Sequence, residues 1–135
     1  MKKIALFLLV VFCLGLTGCA NKDAEVNAFM TENSVVIKDI VAKIDADPSE
    51  EGVAEAQKSF DAKKAGLKAK WDAIKDARGA QVSKDVVKKL EDSMKADMKL
   101  LTDVQQKHSQ KLATDGQAMN NFIKLVQEYA NIVKI

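Results

Sequence analysis

The sequence predicts an all-α protein, an up-down antiparallel helical bundle with four helices favoured. Three observations point there. Pro48 is the only proline. Beyond residue 18, Ala, Lys, Asp, Glu and Gln dominate, and β-branched residues do not alternate with polar ones. That composition favours helix over strand. Apolar residues also recur three and four positions apart, the period of a helix with one buried face.

The first helix is expected from about Asp23 to Ile44. Val26, Met30, Asn33, Ile37, Ile40 and Ile44 form its seam, and Phe29, Val36 and Val41 widen it. Asn33 interrupts the apolar run. A polar seam residue can fix helix register, but Asn is mostly a surface residue, so a partly exposed position is expected.

Residues 45–51 are a break and restart. Pro48 suits a first helical turn, Asp47 suits the cap, and Glu50 completes a capping-box-like spacing. The second helix is expected from Pro48 to about Ala77, with Val53, Ala56, Phe60, Leu67, Trp71 and Ile74 inward. Glu50, Glu51 and Glu55 near its start, and Lys75 and Arg78 near its end, complement the helix dipole. Gly79 ends it. Asp45, Asp47 and Ser49 also open like a calcium loop, but Glu50 stands where the turn glycine belongs and Ala56 where the bidentate Glu belongs. Capping is the expected role.

Ser83 is the expected cap of a third helix, with Val82 and Val87 as its hydrophobic staple. Val87, Leu90, Met94, Leu101, Val104 and Leu112 carry the stripe. The pattern weakens over residues 113–116, and Thr114 and Gln117 have capping-box spacing. A fourth helix follows, with Met119, Phe122, Val126, Tyr129 and Val133 inward. The rival is a helix unbroken from Lys84 to Val133, because one glycine costs only about 1 kcal/mol. It would give a long hairpin, with helices one and two roughly collinear. The bundle is favoured because it buries the last apolar face more completely.

The N-terminus has a different logic. Lys2 and Lys3 precede an apolar run, Ile4 to Leu14, that carries no charge. This is the layout of a secretory signal, and the run is short of the roughly 20 residues of a membrane span. It leads into Leu16-Thr17-Gly18-Cys19, which resembles the lipobox of bacterial lipoproteins position by position. The resemblance implies cleavage before Cys19 and acylation of its sulfur. Cys19 is therefore the expected lipidation site. Residues 1–18 are the expected signal peptide, residues 19–22 the lipidated cysteine and tether, and residues 23–135 the bundle. Two or three acyl chains make a durable anchor. In lipoproteins sorted between two membranes, Asp after the cysteine signals inner-membrane retention. Ala20 stands there instead, which implies the outer membrane, facing the periplasm, in a cell that has one.

Removing residues 1–18 from the 135 leaves 117 residues, one domain's worth. The formal charge of +2 includes Lys2 and Lys3, so the remaining body is formally neutral. A neutral body offers no footprint for nucleic acid, which needs clustered uncompensated cations. Cys13 would leave with the signal and Cys19 would be alkylated, so no thiol is expected for a disulfide, a metal site or a nucleophile.

The remaining candidates are weighed against ordinary packing. His108, the only histidine, lies between Val104 and Leu112 and is expected at the core boundary, with no partner set for haem or metal. Lys58, Lys63, Lys64, Lys68 and Lys70, relieved by Asp61, could touch anionic headgroups, but a solvated face is expected. Leu101-Thr102-Asp103-Val104-Gln105 matches the L-T-x-x-Q motif and so resembles Spy-like periplasmic chaperones, which carry it typically twice. It occurs once here. In that family Leu101 and Thr102 would be structural.

No nucleophile elbow, phosphate-cradling loop or H-E-x-x-H occurs. The expected function is therefore non-catalytic: a lipid-anchored envelope protein that binds, or is a structural accessory of, a membrane-associated assembly. Its expected partners are the membrane, through the anchor, and a protein, with no cofactor, nucleic acid or small-molecule substrate. A client-binding chaperone or stress factor, and an inhibitor or immunity protein, are the alternatives.

Overall fold

The computed structural model describes residues 21–77 and 79–133. Every regular element among them is helical: α1 Asp23–Ala46, α2 Glu50–Ile74, α3 Lys84–Lys107, α4 Ser109–Thr114 and α5 Ala118–Ile132, with a short 3-10 turn at Gly79–Gln81. None of these helices is long and apolar enough to cross a membrane. The expected signal peptide and the acylated Cys19 lie outside the described residues.

The turn between α1 and α2 differs from the sequence expectation. Ser49, not Asp47, caps α2: its Oγ accepts from the Gly52 N–H at 3.2 Å. Pro48 lies outside the helix and is buried. Asp47 instead closes α1, its N–H bonded to the Lys43 carbonyl at 3.0 Å. Gly52 makes this tight reversal possible. A Cβ there would collide with the Asp47 carbonyl, so a side chain would force the two helices apart.

Packing follows from the stripes. α1 lies against both α2 and α3, and α5 lies against α2 and α4. Contacts at the helix ends set directions. The Ser83 N–H, at the start of α3, bonds Asp23 Oδ1 at the start of α1, at 2.8 Å. At the other end Lys107 and His108 both reach Asp45 Oδ1 at 2.7 Å. α1 and α3 therefore run the same way. α2 returns, and α5 starts beside the start of α2, where the Glu50 N–H bonds Asp115 Oδ2 at 2.9 Å. The result is an all-α helical bundle.

Its core contains Phe29, Ile37, Ile40 and Ile44 from α1, Val53, Phe60, Leu67 and Trp71 from α2, Met94, Leu101 and Val104 from α3, Leu112 from α4, and Phe122, Leu125 and Tyr129 from α5. The Phe29 and Trp71 rings meet tilted, with centroids 5.3 Å apart, a favourable aromatic geometry. The inward residues expected for the second helix are all buried.

The stripe expected for α3 is buried from Met94 onward, with Leu90 partly buried against the core, and departs from expectation only at the helix start. Val87 is 42% exposed, while Val86 is buried beside Val82. The apolar contact at this helix start therefore comes from the residue before the expected staple position. The chain is not one helix from Lys84 to Val133. His108 interrupts it at φ −110°, ψ 14°, and Asp115, Gly116 and Gln117 turn it back. Gly116 sits at φ +50°, a left-handed conformation that glycine adopts without steric cost.

Candidate functional site

The end of the body that contains the start of α1 is built around Asn21 to Asp23. Asn21 Oδ1 accepts from the Asp23 N–H at 2.8 Å, a local bond at the entry to α1, whose N-cap residue Lys22 makes no side-chain cap bond. The Lys22 N–H bonds the Gln81 carbonyl at 2.7 Å. Lys22 Nζ reaches the Ala73 carbonyl at 2.8 Å and Glu25 at 3.2 Å. Asp23 receives the Ser83 N–H, and that backbone bond holds its carboxyl below the usual range. The segment that would follow a lipidated Cys19 is thus stitched to the end of α2 and the start of α3. Cys19 and Ala20 directly precede it in the sequence.

A second feature is internal. Asn33, expected to be partly exposed, is completely buried. Its amide donates to Asp97 Oδ2 at 2.7 Å and to the Tyr129 hydroxyl at 2.9 Å. The Ser34 hydroxyl donates to Asp97 Oδ1 at 3.0 Å. Asn33 Oδ1 is buried with no hydrogen-bond partner among the described residues. This knot ties α1, α3 and α5 at mid-height. Burial, assisted by the Asp97 charge, pushes the Tyr129 phenol up to about 12, against the pull of the Asn33 bond. The sequence signal for Asn33 was its seam position. Asp97 carried a weaker one, three residues past Met94 and four before Leu101 on the same stripe.

The far end is polar and cross-tied. Asp45 is shared by Lys107 and His108, and both bonds lower its carboxyl, Lys107 more. His108 is a boundary residue whose Nε2 is occupied by this contact. Glu50 and Asp115 cap each other's helices: Asp115 accepts from the Glu50 N–H, and Glu50 Oε2 accepts from the Gln117 N–H at 3.2 Å. The expected local cap at Thr114 does not form. Thr114 lies in α4, and its Oγ donates to the Gln110 carbonyl at 3.0 Å.

The lysine run of α2 is neutralised in place. Lys58 pairs with Glu55, Lys63 with Asp39, Lys64 with Asp61 and Glu128, Lys68 with Asp72, and Lys70 with Glu32. It is a paired, solvated face. The L-T-x-x-Q segment is structural in the same sense. Leu101 and Val104 are buried, Thr102 bonds back to the Met98 carbonyl, and the Gln105 amide approaches Met119 Sδ at 3.7 Å. A shallow groove of about 440 Å³ runs between α2 and α5, lined by Val53, Gln57, Lys58, Asp61, Lys124 and Glu128 among others. Its carboxylates already have partners in Gln57 and Lys64.

No family model matches this chain, and neither the curated proteins nor the solved structures include a match.

Proposed function

We propose that this is a lipid-anchored envelope protein, acylated at Cys19, whose helical body serves a membrane-associated assembly by binding rather than catalysis. The unit is read as a four-helix up-down bundle, with α4 as the joint between α3 and α5. Ala20 in place of an inner-membrane Asp favours the outer membrane, facing the periplasm.

One observation carries the reading: the fold begins almost at the lipobox. Asn21 and Lys22 are already bonded to the body, so the free tether is two residues, at most about 7 Å when extended. A body on so short a leash stays beside the headgroups. That suits a partner in, or hugging, the same membrane better than clients met deep in the periplasm.

The test is Cys19→Ser in the full chain, expressed with labelled palmitate. Label in the wild type, and an unlabelled precursor or a released protein in the variant, is the expected outcome. Palmitate entering the Cys19→Ser chain to the same extent would overturn the anchor assignment.

A further inference from the structure

We infer that the outward face of α3, carrying Lys84, Lys88 and Lys95 with Val87 and Met98 on its flank, is a docking surface for an anionic lipid bilayer. This inference rests on the anchor reading above and adds an orientation to it: the body reclines with α3 against the headgroups.

Most lysines among the described residues have a carboxylate partner, Lys99 of α3 with Asp103 among them; those without one are Lys38 on α1, Lys111 on α4, Lys124 on α5 and a group of four on α3. The lysines of the α2 run each have a carboxylate within 4.0 Å. Lys84, Lys88, Lys89 and Lys95 have no such partner among the described residues. Lys84, Lys88 and Lys95 are spaced four and seven apart, which puts them on one face of a helix. That face points away from the core, since Val86, Met94, Asp97, Leu101 and Val104 are the buried positions of α3. Glu91 shares it and stays exposed, and Asp85 and Asp92 lie to one side.

The other side is apolar. Val87 is 42% and Met98 37% exposed, among the few large apolar side chains on the surface. They lie eleven residues apart, three helical turns, so they share a flank. Lysines beside exposed apolar side chains are the two components of interfacial attachment. Ammonium groups on flexible stems meet phosphates, while apolar groups enter the headgroup boundary.

Position then selects the occupant. α3 begins at the anchoring end: the Ser83 N–H is bonded to Asp23 at 2.8 Å, four residues after Cys19. Val87 lies only about 6 Å further along the helix axis. A bilayer holding the Cys19 acyl chains is therefore already within reach of Lys84, Val87 and Lys88. A soluble acidic partner would have to compete for a face that the anchor holds beside the membrane.

The experiment uses the mature, lipidated protein, whose acylated Cys19 leaves no free thiol. Val87→Cys, Met98→Cys and Ala65→Cys are each labelled with bimane. Ala65 is exposed on α2, which α1 separates from α3. The proteins are reconstituted in phosphatidylcholine vesicles, with or without phosphatidylglycerol, containing a headgroup nitroxide. Quenching at positions 87 and 98 should exceed that at 65 several-fold in anionic vesicles. It should fall towards the value at 65 in neutral vesicles, and also when Lys84, Lys88 and Lys95 are all changed to Gln. Helical circular dichroism confirms that each variant is folded. Equal quenching at all three positions, or quenching at 87 alone, with the protein still floating with the vesicles, would overturn the docking face and leave the anchor intact. Loss of flotation by the unsubstituted protein would instead remove the anchor, and the docking face with it.

Discussion

Asn33 and Asp97 are the buried polar side chains among the described residues, and they depend on each other. The carboxylate has no cation beside it. Its stability there comes from the Asn33 amide and the Ser34 hydroxyl. Asn33→Leu would strip the closest of these donors and should cost about 1.5–3 kcal/mol, the worth of a hydrogen bond to a charged group. Adding Asp97→Leu removes the stranded charge and should recover much of the loss, since buried polar pairs are often no better than apolar replacements. Urea denaturation of the two single variants and the double variant tests this as a cycle. A double variant no more stable than Asn33→Leu would show that the stranded carboxylate is not the source of the cost. Tyr129 adds a pH dependence. Its phenol is pushed up to about 12 in the fold, from about 10 in an unfolded chain. The unfolded chain therefore releases this proton first as pH rises. The contribution is fully present below about pH 10 and is lost as pH rises through about 12. Denaturation midpoints should fall over that window more steeply for the wild type than for Tyr129→Phe, in which only the lysine titrations remain. Parallel curves for the two proteins would contradict this.

The helices differ in where their ends are decided. Ser83 and Ser49 are local caps: a hydroxyl three residues before the N–H it accepts, a spacing visible in any sequence. The start of α5 has no local cap. Its Gln117 N–H is satisfied by Glu50, sixty-seven residues earlier. Glu50→Ala should therefore cost about 0.5–2 kcal/mol, as loss of an N-cap does. Glu51→Ala, which changes a neighbouring first-turn carboxylate with no such bond, should cost less. Thermal melts of the two variants provide the comparison, and equal losses would mean that Glu50 acts only through the α2 dipole. The interruption at His108 has a related cause. The Lys107 and His108 side chains both turn onto Asp45 at the end of α1. The inward side chain of Leu112 then continues the core on the short α4.

At the scale of the molecule, helices of 24 and 25 residues make a body about 36 Å long. One end carries the first described residues, Asn21 to Asp23. The start of α1, the end of α2, the 3-10 turn and the start of α3 meet there through Lys22 and Asp23. The other end is closed by Asp45, Glu50 and Asp115. Acylation at Cys19, as proposed, would restrict the body to poses in which that corner touches the membrane. Under the same proposal, the lysines on α3 would distinguish a reclining pose from an upright one.

The helical character, the inward stripe of α2, most of that of α1 and the cap at Ser83 were legible in the residues, whereas the cap of α2 was expected at Asp47 and is Ser49. The legible features depend on spacing along one helix, which local sequence carries directly. The lipobox reading concerns residues before the described segment and stands as the proposal above. Tertiary structure decided the rest. Asn33 is buried because α3 and α5 bring Asp97 and Tyr129 to it. Pro48 stays outside α2 because Gly52 lets the turn close against Asp47. The α2 lysines are paired because Glu32, Asp39 and Glu128 arrive from other helices, along with carboxylates of α2 itself. Val87 is exposed although it fits the stripe, because Val86 takes the inward place at the start of α3. Whether a polar or charged side chain is buried, paired or free depends on partners up to about a hundred residues away, and helical period contains no information about them.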